Sequence, residues 1–141
     1  MAGEIIEIEG TPLRTIERAI NSLLSRGSMM KYARRVRANT RRRMRSEVSP
    51  LDTPWAALSE PYASSKKGPG ILRETLEMFN TIEVSARKGE AEVGTDLERG
   101  IFHQFGTSRM PAREWLGVTD DDLSDVELVA ETVWEGAFDG A

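Results

Sequence analysis

The 141-residue chain has no cysteine, a single histidine and few aromatic residues, at 6%. The lack of cysteine excludes disulfides, thiol catalysis and Cys-ligated zinc. One histidine argues against a His-based metal site, and no cofactor is expected. Apolar runs are only a few residues long, which predicts no membrane-spanning helix and no membrane partner. The Met-Ala-Gly-Glu start lacks a basic and then apolar lead, which predicts no signal peptide. Two further absences are local. Residues 26–45 hold nine basic side chains and no acid, whereas from Glu114 onward there are nine acids and no Lys or Arg. The net charge of −4 hides this segregation, which is a clue to partners rather than to fold.

What remains is a composition suited to one soluble domain over residues 1–141, with 39% apolar and 30% charged residues. "EIIEIE" at 4–9 alternates as a half-buried strand that Gly10 ends. Thr11 and Pro12 open a first helix whose stripe is Leu13, Ile16, Ile20, Leu23 and Leu24. Gly27 reads as its stop, and Ser28 as the cap of a second helix over 28–48. The two form a helical hairpin, with arginines covering most of the second helix around a thin apolar seam. Residues 49–70, with four prolines, form a long connection anchored by Trp55 and Leu58, and 64–70 is expected to be mobile. A short helix is predicted at 71–80, then a hairpin of "TIEVSAR" and "AEVGT" about Lys88-Gly89-Glu90. "LERGIFHQF" gives one or two helical turns closed by Gly106. A last helix begins at Thr119, with a stripe of Leu123, Val126, Ala130, Val133, Trp134 and Phe138. The fold class is α+β: a small antiparallel sheet packed against an N-terminal helical hairpin and a C-terminal helix.

"HQFGTSRMPAREWLG", residues 103–117, has the residue types of a catalytic loop. His103 lacks a nucleophile or carboxylate at a supporting spacing, so a structural imidazole near a helix end is the better reading. Arg113 follows the stiff Pro111-Ala112 lead. Its planar fork could grip a neighbour's carboxylate or a DNA phosphate, or cap carbonyls of its own domain. Trp115 and Leu116 read as core. The Arg-rich helix could be a solvated face, an oligomer interface or a phosphate-binding surface.

"HQFG" followed by "MPAREWLG" resembles the virion-morphogenesis or tail-completion family of Mu-like tailed bacteriophages and prophages. The resemblance rests on His103, Gln104, Phe105 and Gly106, then Pro111, Ala112, Arg113, Trp115, Leu116 and Gly117. Pro50, Trp55, Leu58, Ile71, Leu72, Thr75, Met78, Val93, Gly94 and Thr95 follow the family's order. Arg99-Gly100 stands where many relatives have Tyr-Ala, and Leu76 where they have Gly.

The resemblance implies no enzymatic activity. It implies a minor virion protein at the head–tail junction that completes the tail or joins it to the head as a ring of subunits. The partners it implies are other copies of the chain, the head connector and tail-tube or tail-terminator proteins, with DNA in the channel read without sequence specificity. Trp55 and Arg113 are candidate docking anchors. A head-to-tail ring suits a basic face of Arg34, Arg41, Arg42 and Arg45 and an acidic face of Asp125, Glu131 and Glu135. The alternative is a DNA-binding module acting through the helix at 28–48.

Overall fold

The computed structural model describes residues 10–57 and 77–139. The strand expected at 4–9, the mobile stretch at 64–70, Leu58 and the first part of the helix expected at 71–80 lie outside them. The elements are α1 (Gly10–Leu24), α2 (Arg26–Ser46), α3 (Glu77–Asn80), β1 (Glu83–Arg87), β2 (Glu90–Gly94), α4 (Glu98–Phe105) and α5 (Asp120–Gly136). The architecture is α+β, as expected. No helix of the described residues is long and apolar enough to cross a membrane.

Helix α2 is the spine, and its flanks take different neighbours. Arg37 and Arg41 donate to the carbonyls of Ile82 and Phe79, on the side of the two-stranded sheet. Arg35, Asn39 and Arg43 reach acids of α5. Helix α1 packs on both α2 and α5. The strands pair antiparallel from Glu83 opposite Gly94 to Arg87 opposite Glu90, as the alternation predicts. Gly89 at the tip has φ 77, a left-handed conformation that glycine tolerates without a Cβ penalty. Its N–H donates to Leu24 O, so the hairpin tip also closes the end of α1.

The start of α2 differs from the sequence reading. Gly27 does not stop a helix; it lies in the first turn of α2, with open space where a Cβ would stand. Ser25, not Ser28, is the cap, accepting from Ser28 N. Ser28 instead donates to Ser22 O at 2.6 Å, and the Tyr32 hydroxyl donates to Leu23 O. With the contact from Gly89, the last carbonyls of α1 are satisfied by its neighbours, so a sharp break needs no terminating glycine. At the other boundary, α1 already includes Gly10, ahead of the Thr11 expected to open it.

The main apolar cluster is Met44, Trp55, Met78, Phe79, Ile82 and Trp115, with Val93, Leu97 and Leu116 against it. It lies between α2, the sheet and the loops. Neither predicted apolar stripe of the long flanking helices is buried as expected. Among the described side chains of α1 only Ala19 is buried, while Leu13, Ile16, Ile20 and Leu24 are between 42% and 53% exposed. In α5, Leu123 is also exposed, and Val126, Ala130, Val133, Trp134 and Phe138 are half-buried. Periodicity located these faces but not what covers them.

The tie between α2 and α5 is polar. Arg43 Nη1 contacts both oxygens of Asp122 at 3.1 and 3.2 Å, and the Asp122 side chain is fully buried. Asn39 Nδ2 donates to the same carboxylate at 2.7 Å. The Thr119 N–H also donates to Asp122, while Asp122 N donates to the Thr119 hydroxyl: a reciprocal cap that starts α5. Burial alone would raise the Asp122 carboxyl. Hydrogen bonds from Arg43, Asn39 and Thr119, with the Arg43 charge, outweigh it and hold the group below its usual range. Removing one partner of a buried ion pair leaves an uncompensated charge. Asp122→Asn is therefore expected to lose about 3–5 kcal/mol of folding stability in urea denaturation. A loss of less than about 1 kcal/mol would show that the anion is dispensable.

Candidate functional site

The segment from His103 to Gly117 joins the end of α4 to the start of α5. Its first turn ends at Gly106, where φ is 77 and the N–H donates to Phe102 O. A Cβ there would stand 2.7 Å from Ala112 N, so glycine is required both by conformation and by close approach of the returning strand. Thr107 and Met110 pair across the turn. The chain then runs back along α4, with Arg113 N donating to His103 O.

From this point side chains take the place of a β-ladder. Gln104 Oε1 accepts from both Trp115 N and Leu116 N at 3.1 Å, and its Nε2 donates to Leu116 O at 2.9 Å. One amide thus binds the backbone as a neighbouring strand would. Trp115 is buried, and its indole N–H donates to Gly100 O. A Cβ on Gly100 would come within 2.7 Å of Thr95 Cγ2 and 3.2 Å of the Trp115 ring. Glycine at position 100 therefore leaves room for the Thr95 methyl and the indole. Gly117 sits against Pro50, and its carbonyl accepts from Arg43 Nη2 at 3.1 Å.

The 47–57 loop is fastened to the same segment. Trp55 Nε1 donates to Glu114 O at 2.7 Å, while Arg113 donates to Ala56 O and Ala57 O at 2.8 and 3.1 Å. Arg113 and Trp55 are the two expected docking anchors. Both are buried and spend their polar groups within the subunit, because the loop carbonyls need donors that no regular element supplies. Pro111, Ala112 and Phe105 lie at the surface, with Phe105 76% exposed.

His103 lies in the last turn of α4, half-buried, and its Nδ1 is enclosed without a hydrogen-bond partner among the described residues. Burial first, then the charges of Arg113 and Arg99, lowers its pKa, so the imidazole is held neutral.

The basic and acidic faces are rearranged by pairing inside the chain. Asp125, expected on the acidic docking face, is half-buried and accepts from Asn39 at 2.9 Å and from Arg35 at 3.2 Å. Asn39 first, then Arg35 and the charges of Arg35 and Arg42, lower its carboxyl. Arg41 is half-buried, donating to Phe79 O and lying over the Phe79 ring. Arg45 lies 4.9 Å above the same ring but stays exposed. Arg34, Arg42, Glu131 and Glu135 are exposed. Sequence reasoning placed Asp122 at the start of the last helix but missed its buried pairing with Arg43. The one available signal was that position 43 shares the buried side of α2 with Val36 and Thr40.

Gln104→Leu is expected to cost about 2–4 kcal/mol in denaturant unfolding, since backbone groups near the core lose their partners. Wild-type stability would contradict its role as a backbone clamp. A second outcome concerns pH. The folded His103 pKa lies below its unfolded value, so the unfolded chain binds the proton more readily. Stability is then fully present above the ordinary histidine value of about 6.5, and declines as pH falls toward the depressed folded value. His103→Gln should flatten this slope in urea midpoints; an unchanged slope would assign it to another group.

Comparison with known proteins gives two matches. The phage virion morphogenesis family matches residues 10–134. "Mu-like prophage FluMu G protein 1" of Haemophilus influenzae is 28% identical over 89 residues, which cover 59% of this chain and 61% of that protein. No solved structure matches the chain significantly.

Proposed function

Because the chain belongs to the phage virion morphogenesis family, we propose that it is a structural, non-catalytic virion protein of the head–tail junction. It completes the tail or joins it to the head as a ring of subunits, after assembly in the bacterial host. Its partners are further copies of itself, the head connector and tail-tube or tail-terminator proteins. The carrying observation is where the family-like segment spends its polar groups. Gln104, Arg113 and the indoles of Trp55 and Trp115 all bind main chain, which is how a scaffold presents fixed surfaces. The similarity to a Mu-like prophage protein supports the virion setting. A second reading is phosphate binding by α2, without sequence specificity. It is favoured by the exposed Lys31, Arg34, Arg42 and Arg45 on one side of that helix.

Deleting the gene from its phage or prophage is expected to leave unjoined heads and tails, or tails with unfinished ends, in electron micrographs. Complementation with His103→Gln should restore whole particles. Normal particles in the deletion would remove the proposed role, and folded His103→Gln protein that fails to restore them would reopen a chemical one.

A further inference from the structure

Two stripes of opposite charge run along two helices of the same chain. On α2, Lys31, Arg34, Arg42 and Arg45 are exposed. Their spacing, with Ala38 between, follows the helical repeat, so they form one line about 21 Å long. On α5, Asp120, Glu127, Glu131 and Glu135 are exposed at the same kind of spacing and span about 22 Å. Arg35 and Asp125 are spent on one another at the seam between these helices.

The acidic stripe borders a groove. It measures about 300 Å³ and is lined by Leu23 of α1 and by Glu127, Ala130, Glu131, Trp134 and Glu135 of α5. Its floor is apolar and its rim is acidic. The long side chains of Arg and Lys suit such a place: the stem lies on apolar surface and the head meets a carboxylate. A tryptophan ring adds attraction for a cation. Elsewhere on α1, Leu13, Ile16, Ile20 and Leu24 are exposed.

We propose that the acid-rimmed groove between α1 and α5 of one copy receives the basic stripe of α2 from a second copy. The contact deepens the ring reading given above and rests on it. The partner is argued from charge complementarity: the same chain carries a cationic line of matching length outside its own groove. The surfaces are unlike, so the contact is head-to-tail and leaves one groove and one stripe available for the next copy. Repulsion between like stripes disfavours a pairing that sets stripe on stripe. Exposed ion pairs are individually weak, so the stripes select partner and register while the apolar floor contributes burial.

The test uses the full chain and native mass spectrometry with light scattering, at low and high salt. Wild type is expected to assemble beyond the 15.7 kDa single chain at low salt and to dissociate as salt screens the stripes. Arg34→Glu/Arg42→Glu and Glu131→Lys/Glu135→Lys should each remain single chains alone, with wild-type circular dichroism. Mixed, they should assemble, because each reversed stripe then meets its complement. A wild type that stays a single chain at low salt, or assembly indifferent to both reversals, overturns the proposal. Duplex DNA bound by wild type and lost in Arg34→Glu/Arg42→Glu, with mass unaffected by either reversal, gives the stripe to phosphates and also overturns it. Complementation of the deletion by wild type is scored separately. If wild type restores particles while the mass data fail, the contact falls and the virion role stands.

Discussion

The buried contact between Arg43 and Asp122 ties α2, the start of α5 and the segment before it into one unit. Taking both charges out of water is costly, and only close coordination offsets that cost. Asp122 is met by Arg43, Asn39 and the Thr119 N–H. Arg43 also holds Gly117 O, just before α5 begins. One ion pair therefore sets where α5 starts, how it lies on α2 and where the preceding segment must pass. The groove between α1 and α5 and the outward direction of the acidic stripe both follow from that placement.

The segment 103–117 looks catalytic for a physical reason. Main chain that crosses a small domain outside helix or sheet needs donors and acceptors from side chains. Gln, Arg and Trp provide them here, and Arg and Gln are also residue types that active sites use. What distinguishes the two uses is the partner. In this segment the partners are carbonyls and amides of the same chain, while the Nδ1 of His103 is enclosed and unpaired among the described residues.

Helix α2 shows how one highly basic stretch divides its charges. One flank is fixed to carbonyls beside the sheet, another to acids of α5, and a third line is exposed, with Arg45 of that line over the Phe79 ring. Of the nine basic residues at 26–45, Arg43 is buried and Arg37 and Arg41 are half-buried, which leaves six exposed. A reading of overall charge would overstate the docking surface, because Arg43 is a core residue and Arg41 is partly one.

The hairpin, the glycine closing α4 and the capped start of α5 were legible in the sequence because each rests on contacts within a few residues. Gly89 needs only its own backbone conformation, Gly106 adds a close approach to Ala112 six positions on, and Thr119 finds Asp122 three positions on. The family-like order of residues also marked 103–117 as one unit. Local chemistry did not reveal the buried role of Arg43, whose carboxylate partner lies 79 positions away, nor the anchoring of Arg113 on a loop 56 to 57 positions earlier. Likewise, periodicity marked the apolar sides of α1 and α5, but only packing decided that much of those sides would remain at the surface. Sequence determined what each element could bury or bind; tertiary structure determined which partners arrived, since that depends on groups brought together by the whole chain.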